Sequence, residues 1–92
     1  MFTVLAFDIV DDRTRYRLVQ AVREYSVRVQ KSVFEAAHLP PNHFQNLRTT
    51  IENLIDLRTD KVRYYFLCRA CAARVELSGP GTVTKDEEYK IL

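Results

Sequence analysis

The residues best suited to chemistry lie near the N-terminus, in the stretch VLAFDIVDDRTRYR over residues 4–17. A run of apolar residues there contains one acid, Asp8, and further acids and arginines follow it closely. A carboxylate oxygen is the ligand type that Mg²⁺ prefers, and such a metal activates water for phosphodiester hydrolysis. Spacing alone leaves a second interpretation open, in which Asp8 only ends a strand or caps the following turn.

Three arginines follow in the first turns of a predicted helix, where a positive charge opposes the helix dipole: Arg13, Arg15 and Arg17. This position indicates an anionic partner, and guanidinium groups bind phosphate well. On a helical projection Arg13 and Arg17 share the outer face, whereas Arg15 leans toward the strand end and Asp8. The alternative is a solvated face on which the arginines pair with neighbouring acids.

The elements that must position these residues alternate between strands and helices. Asp11 or Asp12 is the expected N-cap of the first helix. In chain order we first predict a strand over 2–9 and a helix over 12–25. Two short strands within 27–36 follow, separated by a bulge near Lys31, and then a helix that is opened by Pro40 and Pro41 and ends near Arg58. Strands over 61–68 and 73–78 come next, with further strand material within 82–92.

This order predicts an α+β fold of the βαββαβ, ferredoxin-like type with an extra C-terminal strand. The predicted domain covers residues 1–78, and residues 79–92 form an extension that packs on a partner subunit. Two helices cover only one face of the sheet, yet the strands over 2–9 and 61–68 are apolar on both alternations. We therefore expect a second copy to bury the helix-free face in a two-fold homodimer, which brings a second Asp8 across the axis.

Composition limits the remaining possibilities. A chain of 92 residues makes one domain, and its net charge of +2 attracts nucleic acid only weakly, so such binding depends on how the arginines are arranged. The apolar runs are too short to span a membrane, and the N-terminus lacks the pattern of a signal peptide. We expect a soluble cytoplasmic protein with no membrane partner.

The stretches FDIVDDRTRYR, YSVRVQKSVFEA and DKVRYYFLC, separated by amphipathic helices, closely resemble the small CRISPR-associated adaptation nuclease, the Cas-two family. The resemblance runs from residue 2 to about residue 78. It implies a ferredoxin-like homodimer whose C-terminal strand joins the partner's sheet. It also implies an endonuclease that uses Mg²⁺, with Mn²⁺ as an alternative, on single-stranded RNA or double-stranded DNA.

The resemblance further implies a role in spacer acquisition during antiviral defence, in which the dimer bridges two dimers of the integrase of the Cas-one family and holds the incoming DNA. Asp8 matches the family's metal-binding acid, one from each subunit. Four residues match positions that affect cleavage in the family, the arginines through phosphate contact and the phenylalanine through the shape of the site: Arg15, Arg17, Arg28 and Phe34. Phe7 also shapes the site, but many members have Tyr there, so any role of that hydroxyl is absent here.

Other residues allow competing interpretations. Cys68 and Cys71 form a CxxC pair, and the spacing of His38 and His43 is within the range of zinc ligands. Nothing in the sequence brings the two pairs together, so two free thiols are the default expectation. The aromatic run over 64–66 could stack bases, although core packing accounts for most of it.

Three functions from different classes remain. The first is a metal-dependent nuclease centred on Asp8. The second is a non-catalytic architectural adaptor that grips DNA with Arg13, Arg17 and Arg28 and docks an integrase through its C-terminal segment. The third is a ferredoxin-like regulatory module that binds a small molecule at its dimer interface, for which the sequence has no dedicated ligand loop.

Overall fold

The computed structural model describes residues 1–84, and its elements follow the predicted order. The strands and helices are β1 (Phe2–Asp8), α1 (Asp12–Val22), β2 (Val27–Gln30), β3 (Val33–Ala36), α2 (Pro41–Leu54), β4 (Lys61–Leu67) and the short α3 (Arg69–Ala72). The ferredoxin-like βαββαβ order is therefore confirmed. The segment 27–36 divides into two strands as predicted, with a register shift between Arg28 and Gln30.

The four strands form one antiparallel sheet in the order β2-β3-β1-β4. The N-terminal strand β1 is central, so it pairs with β3 on one side and with β4 on the other. In this register Asp8, the last residue of β1, lies opposite Lys61, the first residue of β4.

Helices α1 and α2 cover one face of the sheet and enclose the main core. Alternate residues of a strand point to opposite faces, so only every second residue of β1 enters this core. The buried side chains are Leu5 and Phe7 from β1, Ile9 directly after it, Leu18, Val19 and Val22 from α1, Phe34 and Ala36 from β3, Leu39 from the following loop, and Leu47 and Ile51 from α2.

The opposite side of the sheet, here called the open face, is covered only at one end. There Ala72 of α3 packs against Phe2 and Ala37. The rest of the open face includes the half-buried Val4 and the exposed Asp8 of β1. The predicted helix-free face therefore exists, although α3 shortens it.

Strand pairing arranges a row of side chains across the open face. Val4 lies opposite Glu35 on β3 and opposite Tyr65 on β4, and Glu35 in turn lies opposite Val27 on β2. Val27 and Tyr65 are 52% and 45% exposed, which is a large exposure for an apolar and an aromatic side chain. This row is the surface that the predicted dimer would bury.

Both main helices end earlier than the sequence pattern predicts. Helix α1 ends at Val22, because a turn replaces the last helical residues and the Tyr25 amide donates to the Val22 carbonyl at 3.0 Å. Helix α2 ends at Leu54, because Ile55 has an extended backbone with φ of −95° and ψ of 164°. The predicted ends at Tyr25 and near Arg58 are therefore wrong.

The C-terminal predictions have different outcomes. The predicted strand over 73–78 is wrong: a strand needs a hydrogen-bonded neighbour, and these residues pair with neither edge of the sheet. Residues 79–84 form no strand, and the remainder of the predicted extension over 79–92 lies outside the described residues. The boundary at residue 78 and the packing of the extension on a partner subunit stay predictions.

Within the described part of the chain, none of the helices is long and apolar enough to cross a bilayer.

Candidate metal and nucleic-acid site

Asp8 is the candidate metal ligand, and it lies at the end of the central strand with its side chain on the open face. The residue is exposed, and within residues 1–84 its carboxylate has neither a hydrogen-bond partner nor an ion-pair partner. Its neighbour Phe7 points to the opposite face, into the core. The backbone of Asp8 is therefore fixed by strand pairing, and both oxygens of its carboxylate are free to bind a ligand.

The donor set around Asp8 fits a magnesium ion only as a single-carboxylate site. Among the described residues no three His, Cys, Asp or Glu side chains come close enough to hold one ion together. Mg²⁺ accepts one or two carboxylates and fills its octahedron with water and phosphate oxygens, so one Asp8 per chain is compatible with it.

The zinc hypothesis finds no support in the described region. A tetrahedral site needs at least three protein ligands, and Cys68, Cys71, His38 and His43 do not supply a cluster of that size there. Both cysteines are exposed free thiols. The Cys71 amide donates toward Cys68 and lowers the pKa of its thiol.

The loop that follows Asp8 is fixed at each of its residues. The Ile9 carbonyl accepts from Nη2 of Arg15 at 2.8 Å, and the Val10 amide donates to Oδ1 of Asp60 at 3.0 Å. Asp11 is the N-cap of α1 and accepts from the Thr14 amide at 2.8 Å. That amide hydrogen bond is the main reason why the pKa of the Asp11 carboxyl is lowered.

Asp60 is a site residue that the sequence analysis missed. Asp60 is 7% exposed, and its Oδ2 accepts a hydrogen bond from the Asp56 amide at 2.9 Å. The carboxylate therefore joins the loop after β1 to the loop before β4. The only sequence signal is an acid directly before the apolar strand KVRYYFL, which does not reveal a partner fifty residues away.

The structure separates the three arginines of α1. Arg15 is bound within the protein, to the Ile9 carbonyl and to Oδ1 of Asp12 at 2.6 Å, so it leans toward the strand end as predicted. Arg13 and Arg17 are exposed, and Arg17 has no interaction partner within residues 1–84. Arg17 is therefore the most available of the three for an external anion.

A shallow groove of about 290 Å³ runs between α1 and the edge strand β2. Its lining combines three arginines with an exposed tyrosine and few acids: Asp12, Arg15, Tyr16, Val19, Gln20, Arg23 and Arg28. Arg23 was not predicted as a site residue. Its spacing from Arg15 and Tyr16, eight and seven residues, could have placed it on the same stripe of the helix.

Arg28, Phe34 and Phe7 form a stack beneath this groove. Nη2 of Arg28 donates to the Lys31 carbonyl at 2.7 Å, and its guanidinium carbon lies 5.7 Å from the centre of the Phe34 ring. Phe34 in turn stacks on Phe7 with their ring centres 5.9 Å apart. Both phenylalanines are buried on the helix-covered side, so they support Arg28 and β1 from the core and do not line the surface around Asp8.

The aromatic run over 64–66 does not form one stacking platform. Tyr64 and Phe66 face α2, where both rings contact Phe44, and burial raises the pKa of the Tyr64 hydroxyl. Tyr65 lies on the open face.

The chain is similar to known proteins of one family. The profile of the family described as CRISPR associated protein Cas2, the Cas-two family of the sequence analysis, matches residues 1–75. A relative from Chloroflexus aurantiacus named CRISPR-associated endoribonuclease Cas2 3 is 41% identical over 89 residues, which cover 97% of this chain and 95% of the relative.

Two solved structures share the fold. The crystal structure of Streptococcus pyogenes Cas2 at pH 6.5 superposes with a TM-score of 0.76 at 27% identity, over 86% of this chain and all (100%) of that chain. A chain of a partial Cas6-RT-Cas1–Cas2 complex superposes with a TM-score of 0.70 at 28% identity, over 82% of this chain and 87% of that chain.

Proposed function

This chain belongs to the CRISPR-associated Cas2 family, as its motifs predicted, and on that premise we propose that it is a Mg²⁺-dependent endonuclease of CRISPR adaptation that cleaves single-stranded RNA or double-stranded DNA. The observation that carries this proposal is the free carboxylate of Asp8 on a fixed strand end. The endoribonuclease name of the Chloroflexus relative supports nuclease activity in this family.

A homodimer completes the proposed site. Two copies that meet through their open faces bury the row that includes Val4 and Tyr65, and two-fold symmetry brings one Asp8 from each subunit to the axis. When bound, Mg²⁺ or Mn²⁺ supplies Lewis-acid activation of water and neutralises charge at the phosphate. The two Asp8 carboxylates would hold that ion, and the paired backbone of each strand end would position them.

The basic groove supplies the grip on the substrate. Arg23 lines this groove and Arg17 lies on α1 outside it; neither side chain has a partner among residues 1–84, so both guanidinium groups are available to phosphate oxygens. Arg13 lies exposed at the start of the same helix, and Arg28 is oriented by Lys31 and Phe34 at the groove edge. Arg15 keeps part of its guanidinium for phosphate contact beside its bonds within the protein.

A second function, the architectural adaptor, is favoured by the solved Cas1–Cas2 complex whose chain this protein resembles. In this role the dimer binds a Cas1-family integrase and holds the incoming DNA, and Asp8 is dispensable. The two functions share the dimer and the basic groove, and they differ only in whether cleavage occurs.

A magnesium titration of the wild-type protein separates them. With matched single-stranded RNA and duplex DNA, we expect cleavage of at least one substrate that rises with Mg²⁺, is supported by Mn²⁺ and stops when EDTA removes the metal. The measurement is the rate of product formation on gels under single-turnover conditions. If neither substrate is cut at any metal concentration, the nuclease function is excluded and the adaptor function remains.

Salt dependence of binding tests the groove. Arg23→Gln, in the groove, and Arg17→Gln, on the part of α1 outside it, are each expected to reduce the slope of log Kd against log salt by roughly 0.7 to 0.9, the value for one phosphate contact. Fluorescence anisotropy of labelled oligonucleotides at several salt concentrations gives this slope. Arg48→Gln is the control, because it removes the same charge from α2, where Arg48 is paired with Glu52. Equal slopes in Arg23→Gln and Arg48→Gln would argue against the groove, and equal slopes in Arg17→Gln and Arg48→Gln would argue against a phosphate contact at Arg17.

A further inference from the structure

Asp60 uses both carboxylate oxygens to hold backbone groups of two separate loops. Oδ1 accepts from the Val10 amide at 3.0 Å and Oδ2 from the Asp56 amide at 2.9 Å. Burial of a carboxylate costs free energy unless such hydrogen bonds compensate it. The side chain is therefore a fixed connector between the loop after β1 and the loop before β4.

Arg15 holds the same loop from the other side. Its Nη2 donates to the Ile9 carbonyl at 2.8 Å, while Nη1 is held by Asp12. Two charged side chains from different elements thus fix the two residues that follow Asp8. We call Arg15 and Asp60, with the Ile9–Val10 backbone between them, the loop clamp.

The carboxylate of Asp8 has no such support of its own. Within the described residues nothing bonds to it, so its position depends on its backbone. That backbone pairs with Lys61, which directly follows Asp60 in the chain. Asp60 therefore joins the chain just after Asp8 to the chain just before Lys61, at the end of the strand ladder.

We propose that Asp60 is a positioning residue for Asp8, and that the loop clamp keeps the two Asp8 carboxylates of the dimer at the separation that a divalent metal requires. This inference rests on the proposed function. Two-fold symmetry increases the precision with which Asp8 must be placed. A shift of Asp8 toward the axis occurs in both subunits, so the separation of the two carboxylates changes by twice that shift. A metal site tolerates misplacement of only about 0.5 Å.

Asp60→Asn tests the clamp with little change in volume. The amide oxygen can accept from one backbone N–H, but the amide nitrogen faces the other N–H without an acceptor. We expect faster hydrogen exchange at Val10 or Asp56 by NMR, and a fall of about 10- to 100-fold in Mg²⁺ affinity and kcat, the range seen when outer partners of a metal site are removed. KM and the salt slope of nucleic-acid binding should not change.

A control of matched stability excludes a merely structural role. Ile51→Val removes one methylene from the main core and lowers stability, while it removes none of the side-chain hydrogen bonds of Asp60 or Arg15. At a temperature where both variants are folded, Ile51→Val should retain wild-type kcat and Mg²⁺ affinity. If the two variants lose activity in proportion to their stability, the positioning role is wrong.

Arg15→Lys provides a second variant if Asp60→Asn does not fold. A lysine keeps the positive charge in the groove, but its single ammonium cannot reproduce the fork that reaches both Asp12 and Ile9. We expect kcat and Mg²⁺ affinity to fall while the salt slope is retained. A changed slope with unaltered Mg²⁺ affinity would make Arg15 a phosphate contact and overturn its place in the clamp.

The amide exchange and Mg²⁺ affinity distinguish this inference from the proposed function. A wild type that binds Mg²⁺ but never cleaves refutes the nuclease, and the clamp is then judged on Mg²⁺ affinity and Val10 exchange in Asp60→Asn. Unchanged values for both would overturn the clamp even in an active enzyme. If the wild type binds no Mg²⁺ at all, the positioning proposal fails together with the metal site.

Discussion

Asp8→Asn is expected to abolish Mg²⁺-dependent cleavage, with a loss of at least about 10²-fold, while the dimer persists. The substitution removes the negative charge that is proposed to bind the metal. A bound metal supplies several kcal/mol of transition-state stabilisation, and each 1.36 kcal/mol is about tenfold in rate. The measurement is the single-turnover rate on RNA and on duplex DNA. Dimerisation should be unimpaired, because the change also removes repulsion between two carboxylates near the axis.

Glu24→Gln is the matched control for this prediction. It removes the same kind of charge from an exposed acid beyond the end of α1, away from Asp8, and should cut at the wild-type rate. A purified Asp8→Asn protein that cuts as fast as the wild type would show that the catalytic assignment is wrong. Assembly with a Cas1-family integrase and spacer integration, measured on the same variant, show whether the adaptor role is independent of Asp8.

Val4→Lys is expected to convert the proposed dimer into a monomer and to remove activity with it. Val4 is half-buried at the middle of the row on the open face, between Glu35 and Tyr65. In a monomer the lysine ammonium can reach water, so folding should survive. Burial of that charge in a dimer costs several kcal/mol, which weakens dimerisation by at least about 10²-fold, since 1.4 kcal/mol is a factor of about ten.

Sedimentation equilibrium of Val4→Lys gives the dimer dissociation constant directly, and circular dichroism checks that the monomer is folded. Leu57→Lys is the control: it adds the same charge at a side chain that is 67% exposed in the loop before β4, outside the open face. If Val4→Lys remains a dimer at the wild-type dissociation constant, the open face is not the interface.

The local features of this protein could be predicted because their causes lie close together in the sequence. Asp11 caps α1 through Thr14, three residues away, and the slip in alternation near Lys31 marks the turn between β2 and β3. Alternation in β1 assigned Phe7 and Asp8 to opposite faces, which the burial of Phe7 and the exposure of Asp8 confirm. Such patterns need only a few neighbouring residues.

The features that could not be predicted depend on tertiary contacts. Asp60 binds an amide fifty residues away, and neither end of that hydrogen bond has a distinctive local pattern. Spacing places Arg23 on one stripe of α1 with Arg15, but that stripe lines a groove only because α1 lies beside β2 and Arg28. The segment 73–78 has the alternation of a strand, but strand formation depends on a hydrogen-bonded neighbour, which alternation does not specify.

The central position of β1 also bears on how the protein is made. β1 is synthesised before the other three strands of the sheet, yet it gains its second neighbour only when β4, the last strand described, has been synthesised. Closing that pairing requires a loop of roughly fifty residues, and such long-range contacts form slowly in folding. A nascent or truncated chain that ends before Asp60 has Asp8 but neither its strand partner nor its anchor, so it lacks the complete site of the proposed nuclease.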